Sequence, residues 1–228
     1  MPVNCKFRML ILIFLALGVP QIYAQSWEVN VNFITGFHQN EFADNIDNVG
    51  LGGGGGVGYY LDVSPIMVGA EFSFLIYGSE TQRVPVIITI PNVTVDVQTS
   101  NNIFLGHFFV RLQSNQGVVR PYLEGLIGVH NLFTETQIKN GTGNEVIAKS
   151  TNQKDSAFSY GTGAGLMIRV HKTDDDIKEV FINLRVRYLF GGEADYLSFR
   201  REDGQVSIDF NNSRTDLITF QLGVAFTF

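Results

Sequence analysis

From Leu217 to Phe228 the chain alternates strictly. Ile218, Phe220, Leu222, Val224, Phe226 and Phe228 share one face, and Thr219, Gln221, Gly223, Ala225 and Thr227 share the other. A period of two is the strand period. Seven further stretches split the same way: Trp27–His38, Gly50–Val63, Ile66–Tyr77, Ile103–Gln113, Val118–Phe133, Ala157–His171 and Lys178–Phe190. In the first, Trp27, Val29, Val31, Phe33 and Phe37 oppose Glu28, Asn30, Asn32 and His38; in the last, Val180, Ile182, Leu184, Val186, Tyr188 and Phe190 oppose Asn183, Arg185 and Arg187. After residue 25 no segment sustains the i, i+3, i+4, i+7 spacing of an amphipathic helix, and Gly, Val, Ile, Phe, Tyr and Thr dominate, which favours strands.

The connections alternate in length. Those after strands two, four and six are short, such as Ser64-Pro65 and Ser114–Gly117; those after one, three, five and seven are long, about Gln39–Val49, Gly78–Asn102, Thr134–Ser156 and Gly191–Ser213. Short turns on one side and long loops on the other are the rhythm of an outer-membrane barrel, and lipid requires the sheet to close. The pattern predicts an all-β, eight-stranded antiparallel up-and-down transmembrane β-barrel with four long extracellular loops. Within the second long connection, Val84–Ile90 and Val93–Gln98 flank Pro91-Asn92 and read as a projecting hairpin. The same segments admit a ten-stranded count. A further β-prone piece, Gln205–Phe210, lies in the fourth.

Ahead of the first strand, Lys6 and Arg8 precede the apolar run Met9–Val19, then Pro20 and Ala24-Gln25. This is the layout of a secretory signal peptide over residues 1–24, cleaved between Ala24 and Gln25, with a core too short to span a membrane. The only cysteine, Cys5, precedes the apolar run, so neither a lipid anchor nor a disulfide is expected. Removing Lys6 and Arg8 from 16 basic residues, against 22 acidic ones, leaves the mature chain near −8. No basic stripe offers itself to nucleic acid.

Few residues suggest chemistry. The run Gly52–Gly56 lacks the Lys-Ser/Thr and the helix of a phosphate loop and reads as barrel wall. Glu28, Glu71, Glu124, Arg111, Arg169, Arg185 and Arg187 share the inward parity. In a bore only wide enough for side chains they must pair, which predicts a structural polar interior rather than an ion pathway. The turn at Ser114–Gly117 sets Glu124 across from His107 and Arg111 across from Arg120. His38, His107, His130 and His171 all carry inward parity but are expected at different heights, so neither a metal site nor a cofactor is predicted. His38 and His130 with Asp44, Asp47 or Glu135 could serve a rim enzyme, yet no compact spacing supports catalysis. Trp27, Tyr59, Tyr160, Tyr188, Phe190 and Phe228 suit interfacial girdles.

The terminal strand resembles that of outer-membrane β-barrels, where Phe220, Leu222, Val224, Phe226 and Phe228 would correspond to the family's C-terminal assembly signal. Gly58–Val63, Arg120–Gly125 and Gly191–Leu197 look like passages of Bacteroidota outer-membrane barrel domains, over the whole mature chain of residues 25–228. The resemblance implies outer-membrane lipid, lipopolysaccharide and the barrel assembly machinery as partners, and a monomer with a periplasmic C-terminus. The expectation is a non-enzymatic, largely plugged barrel acting through its loops on an extracellular partner. A narrow solute channel, a rim enzyme acting on outer-membrane lipid and a soluble ligand-binding barrel stand as alternatives.

Overall fold

A computed structural model describes residues 27–46, 48–61, 65–87, 90–114, 116–140, 145–173, 177–202 and 205–228. The signal segment with Ala24 and Gln25, Asp47, Ser64 and the acidic run 174–176 lie outside them. The strands are β1 (Trp27–His38), β2 (Gly50–Tyr60), β3 (Ile66–Ile87), β4 (Ile90–Gln113), β5 (Val119–Asn140), β6 (Val146–Lys172), β7 (Glu179–Gly191), β8 (Glu193–Glu202), β9 (Gln205–Arg214) and β10 (Leu217–Thr227). Among the described residues, β1 to β7 and β10 form one closed antiparallel barrel, with β1 paired to β10, while β8 and β9 form a separate hairpin.

The period-two pattern becomes geometry at the wall. Outward positions carry Val31, Phe33, Phe72, Phe108, Leu123, Phe158 and Leu222, each more than half exposed. Inward neighbours such as Glu28, Glu71, Arg111 and Arg185 are buried. This is the reverse of a soluble barrel, and a band of this kind needs an apolar solvent. At the short-turn end Trp27 packs on Tyr59 with ring centroids 4.9 Å apart; toward the long-connection end Tyr160, Tyr188 and Phe190 form a second aromatic group with centroids 4.6 to 5.2 Å apart.

Several expectations need correction. The second long connection is the projecting hairpin expected of it, but the third, read as a loop, is a strand pair as well. β3 and β4 stay paired to Ile87 and Ile90, and β5 and β6 to Lys139 and Val146, so a four-stranded sheet continues well beyond the aromatic band. The count is therefore eight, because the extra β-prone segments prolong existing strands. The fourth connection is the β8–β9 hairpin rather than a loop with one short strand.

The first connection contains a helix, α1 (Glu41–Asn45), where none was expected. Five residues are too few to show a helical period. Asn40 enters it at φ 53°, left-handed backbone that Asn tolerates. Its amide is tied by donation to Asp216 at 2.8 Å and to the Tyr188 hydroxyl at 3.2 Å.

The β4–β5 register also differs. Arg111 faces Glu124 and His107 faces Gly128, because Gln113 pairs with Tyr122 and the reversal is longer than the four residues assumed. Gly117 takes φ 93° within it, and the Arg120 Nε donates to the Gly117 carbonyl, folding that side chain back into the turn. His171 does not face the bore. A register shift between Arg169 and His171 pairs it with outward Val180 and leaves it exposed.

The interior is less polar than anticipated. Ile34, Leu75, Tyr77, Ile103, Leu105, Leu132, Leu189 and Leu217 build an apolar core toward the long-connection end. Phe42 of α1 completes it, meeting the rings of His38, Tyr77 and Tyr196 at 4.5, 5.9 and 5.0 Å. A smaller cluster, Tyr122, Met167, Phe181 and Ala225, lies toward the short turns.

On the projecting sheet, Arg83 grips Asp96 through two hydrogen bonds, Nε at 2.8 Å and Nη2 at 3.3 Å. These bonds, then the charge of Arg83, hold the Asp96 carboxyl below the usual carboxylate range. A depressed carboxylate stabilises the hairpin above its unfolded value, near pH ~4, and that contribution is lost as pH falls through the folded value. Carbon-detected NMR should place the Asp96 titration below its ordinary midpoint and return it to about 4 in Arg83→Ala; an unchanged midpoint would refute the pairing.

Candidate functional site

The bore holds the densest chemistry in the molecule. Period-two placement brings Glu28 from β1, Glu71 from β3, Arg111 from β4, Glu124 from β5 and Arg185 and Arg187 from β7 to one buried centre. Arg111 bridges two acids, with Nη1 to Glu28 at 2.9 Å and Nη2 to Glu124 at 3.1 Å. Arg187 bridges two as well, with Nε to Glu124 at 2.6 Å and Nη1 to Glu71 in a close contact. Arg185 joins Glu71 at 2.7 Å and approaches Glu124 at 3.8 Å. Three carboxylates meet three guanidiniums, so the cage is neutral as a unit.

Neutral groups take up part of the remaining capacity. The Tyr60 hydroxyl donates to Glu28 at 3.1 Å, and Gln113 donates to Tyr60 at 2.7 Å. Arg185 also donates to Gln221 at 2.5 Å. Arg111 lies over the Tyr122 ring at 4.2 Å, a cation–π contact that supports a guanidinium out of water. Arg185 Nε and Nη1 lack hydrogen-bond partners among the described residues. Inward glycines make the room. A Cβ on Gly163 would sit 2.8 Å from Arg187 Cγ and 3.0 Å from a Glu124 oxygen; one on Gly56 would sit 3.2 Å from Glu71 Cβ. The Gly52–Gly56 run is the wall against which Glu71 and its neighbours pack.

Arg169 is not part of this cage. It pairs with Glu179 at 2.6 Å near the short turns, and Glu179 binds Arg120 at 2.7 Å. Glu179 is thus the acid that Arg120 needs, one that parity reasoning left out.

The histidines sit differently from expectation. His107 and His130, expected at separate heights, have ring centroids 5.6 Å apart with Ser159 between them. Ser159 Oγ is 3.1 Å from His107 Nε2 and 2.8 Å from His130 Nε2, and His130 Nδ1 is 3.3 Å from Thr215 Oγ1. Thr215 donates to the Gly192 carbonyl, which leaves its oxygen to accept from His130. His130 then accepts from Ser159, and Ser159 from His107, one consistent chain of donors. Ser159 and His130 have the contact of a nucleophile and its base, yet Ser159 is fully buried. The chain fills space with satisfied polar groups. The other rim candidates are elsewhere: Glu135 pairs with Lys149 at 2.8 Å, and His38 meets the Phe42 ring edge-on at 4.5 Å. No group of three or more metal-ligating side chains occurs among the described residues.

No protein-family model and no curated protein matches the sequence. Solved structures do resemble the fold. A major outer membrane protein from Thermus thermophilus aligns over 90% of this chain and 100% of its own, with 13% identity and a TM-score of 0.52. The fold is that of the outer-membrane β-barrels. Two further similar structures are Ail of Yersinia pestis in complex with the heparin analogue sucrose octasulfate (12% identity, 90% and 97% coverage, TM-score 0.41) and OprG of Pseudomonas aeruginosa (12%, 92% and 99%, 0.38). At such identities the likeness is one of fold alone.

Glu124 touches all three cage arginines, so Glu124→Gln should lower unfolding free energy by about 3–5 kcal/mol, the usual effect of stranding a buried charge. Adding Arg185→Met restores neutrality while Glu28–Arg111 and Glu71–Arg187 stay paired, and should recover part of the loss. Denaturant titration of the refolded barrel measures both; a double variant less stable than the single one would contradict the pairing.

Proposed function

We propose that this is an integral outer-membrane β-barrel whose bore is closed and whose work is done by the long connections at the cell surface. The observation that carries the reading is a single wall with two opposite faces: an outward band of Val, Leu, Ile and Phe, and an inward filling of ion pairs and apolar side chains. The band is matched to lipid and lipopolysaccharide. The filling leaves a solute no continuous polar route, which disfavours the channel. Burial of Ser159 disfavours a rim enzyme, and the exposed outward aromatics disfavour a soluble barrel.

In this reading residues 1–24 are a signal peptide cleaved before Gln25, and residues 25–228 form the barrel domain of a monomer, similar to Bacteroidota barrel proteins. The C-terminal strand, with Phe220, Leu222, Val224, Phe226 and Phe228 on its lipid face, addresses the assembly machinery and ends in the periplasm. The Glu–Arg cage is structural. The projecting β3–β6 sheet and the β8–β9 hairpin then stand outside the cell, where a sheet edge can meet an extracellular partner by strand addition.

Cells expressing the full chain, fractionated and run unheated or boiled on a gel, test this. The expected result is a band in the outer-membrane fraction that migrates faster unheated. Soluble protein with no heat-dependent migration would overturn the membrane reading.

A further inference from the structure

Beyond the aromatic group at the long-connection end, the outer face of the wall continues as one face of the projecting β3–β6 sheet, and it changes there from apolar to charged. Residues directly opposite each other across a ladder share a face. Lys154 is opposite Phe133, whose ring centroid is 6.2 Å from that of outward Phe74. Farther out, Arg83 is opposite Asp96, and Asp96 is opposite Lys139. Gln137, which alternation puts on the face of Glu135 and Lys139, is opposite Lys149. Arg83, Asp96, Glu135, Lys139, Lys149 and Lys154 are thus the charged residues of this outer face.

Two β-bulges bring them together. On β3 the outward residues Phe72, Phe74 and Ile76 are even-numbered. Ile76 then pairs with Asn102 and Gly78 with Asn101, so Tyr77 is an extra residue; Arg83 reaches the outer face and Glu80 the inner one. On β6 the outward residues Phe158 and Tyr160 are even-numbered too. Thr134 pairs with Gln153 and Glu135 with Thr151, so Asn152 is extra and Lys149 joins Lys154 outside. In unbroken strands Arg83 and Lys149 would both face inward. Re-aiming a side chain is what a bulge does.

The two carboxylates of this face are already engaged. Glu135 pairs with Lys149 and Asp96 with Arg83, each at 2.8 Å. Lys139 donates to the neutral Gln98 amide at 2.6 Å, and Lys154 has no hydrogen-bond or ion-pair partner among the described residues. Other acids do not redress the balance. Residues 84–95 and 140–144 contain no charge, and Arg200 and Arg201 are offset by Glu202 and Asp203. Glu145 adjoins Val146, which is opposite Lys139, so it turns to the inner face; Asp155 is opposite buried Leu132. The β8–β9 hairpin meets the sheet from that inner side, where Asp155 accepts from the Asp195 amide and buried Asn101 donates to the Leu197 carbonyl. Four cations therefore share the outer face with two acids, in a mature chain near −8.

We propose that this face binds the phosphate groups of lipopolysaccharide anchored in the surrounding leaflet. Two features select that occupant: the excess of cations, and the continuity of the face with the apolar band. Lys154, the unpartnered cation, lies nearest the band, about 13 Å along β6 from Phe158 at the strand rise of ~3.3 Å per residue. A lysine serves a phosphate as a point charge on a flexible stem. A ligand rooted in the band runs along the ladder from Phe133 outward, where Lys139 and Lys149 follow. The proposal deepens the surface reading and rests on it for the presence of that leaflet.

The test uses the refolded full chain in neutral detergent, with phosphorylated and dephosphorylated lipid A as probes and native mass spectrometry as the readout of retained lipid. The phosphorylated form should be held more tightly, and its retention should fall as salt rises. Lys139→Gln and Lys154→Gln should each weaken it about 5-fold, and the double variant about 25-fold, the range for lysines at an anionic membrane surface. Lys154→Arg, which keeps the charge, should bind as the unaltered chain does. Heat-dependent gel migration reports the fold of every variant independently of lipid A. Equal retention of the two forms by folded protein, unchanged affinity in the folded double variant, or heparin bound as tightly as lipid A would overturn the proposal and leave the membrane reading standing. An unaltered chain without heat-dependent migration would overturn both.

Discussion

A barrel of eight strands encloses space for side chains and little else, and any charge placed there must find its counter-charge within a few ångströms. The rest of the structure depends on that constraint. Glu124 touches Arg111, Arg185 and Arg187, which in turn reach Glu28 and Glu71. Strands β1, β3, β4, β5 and β7, plus the C-terminal strand through Gln221, are thereby tied across the bore as well as along the ladder. Each long Arg needs a vacant position opposite it. Gly163 supplies that volume beside Arg187 and Gly56 does so beside Glu71, so the glycine-rich strands and the charge cage are one feature of the sequence seen from two sides.

The wall was legible because its signal is local. Alternation within one strand, as at Trp27–His38 or Leu217–Phe228, already separates the outer face from the bore. What was not legible depends on single-residue events. One residue at the β3 bulge moves Tyr77 and Glu80, and one at the β6 bulge turns His171 outward. The β4–β5 turn is longer than its Ser-Asn-Gln-Gly core, and that difference exchanges a like-charged Arg111–Arg120 pairing for Arg111 with Glu124. The meeting of His107 and His130 around Ser159 involves β4, β5 and β6, so it follows from the stagger between strands and leaves no mark in any one of them.

The two ends of the bore are finished differently. Near the short turns, Arg120, Glu179 and Arg169 close it with partly exposed charge. Toward the long connections it is closed by apolar side chains under α1, and above them the wall continues as paired strands. Beyond the apolar band, β8 and β9 no longer belong to the barrel, and a polar cavity forms where β8 meets α1 and the β3 bulge.

The central claim is that paired charge and apolar packing close the bore. Single-channel recording of the refolded protein in planar bilayers tests it most directly. Membrane-inserted protein, verified by its heat-dependent migration, should give no conductance steps across a range of voltages and salt concentrations. Regular open-channel steps from the unaltered chain would mean that the cage parts readily enough to admit ions, and the account of a plugged barrel would fail.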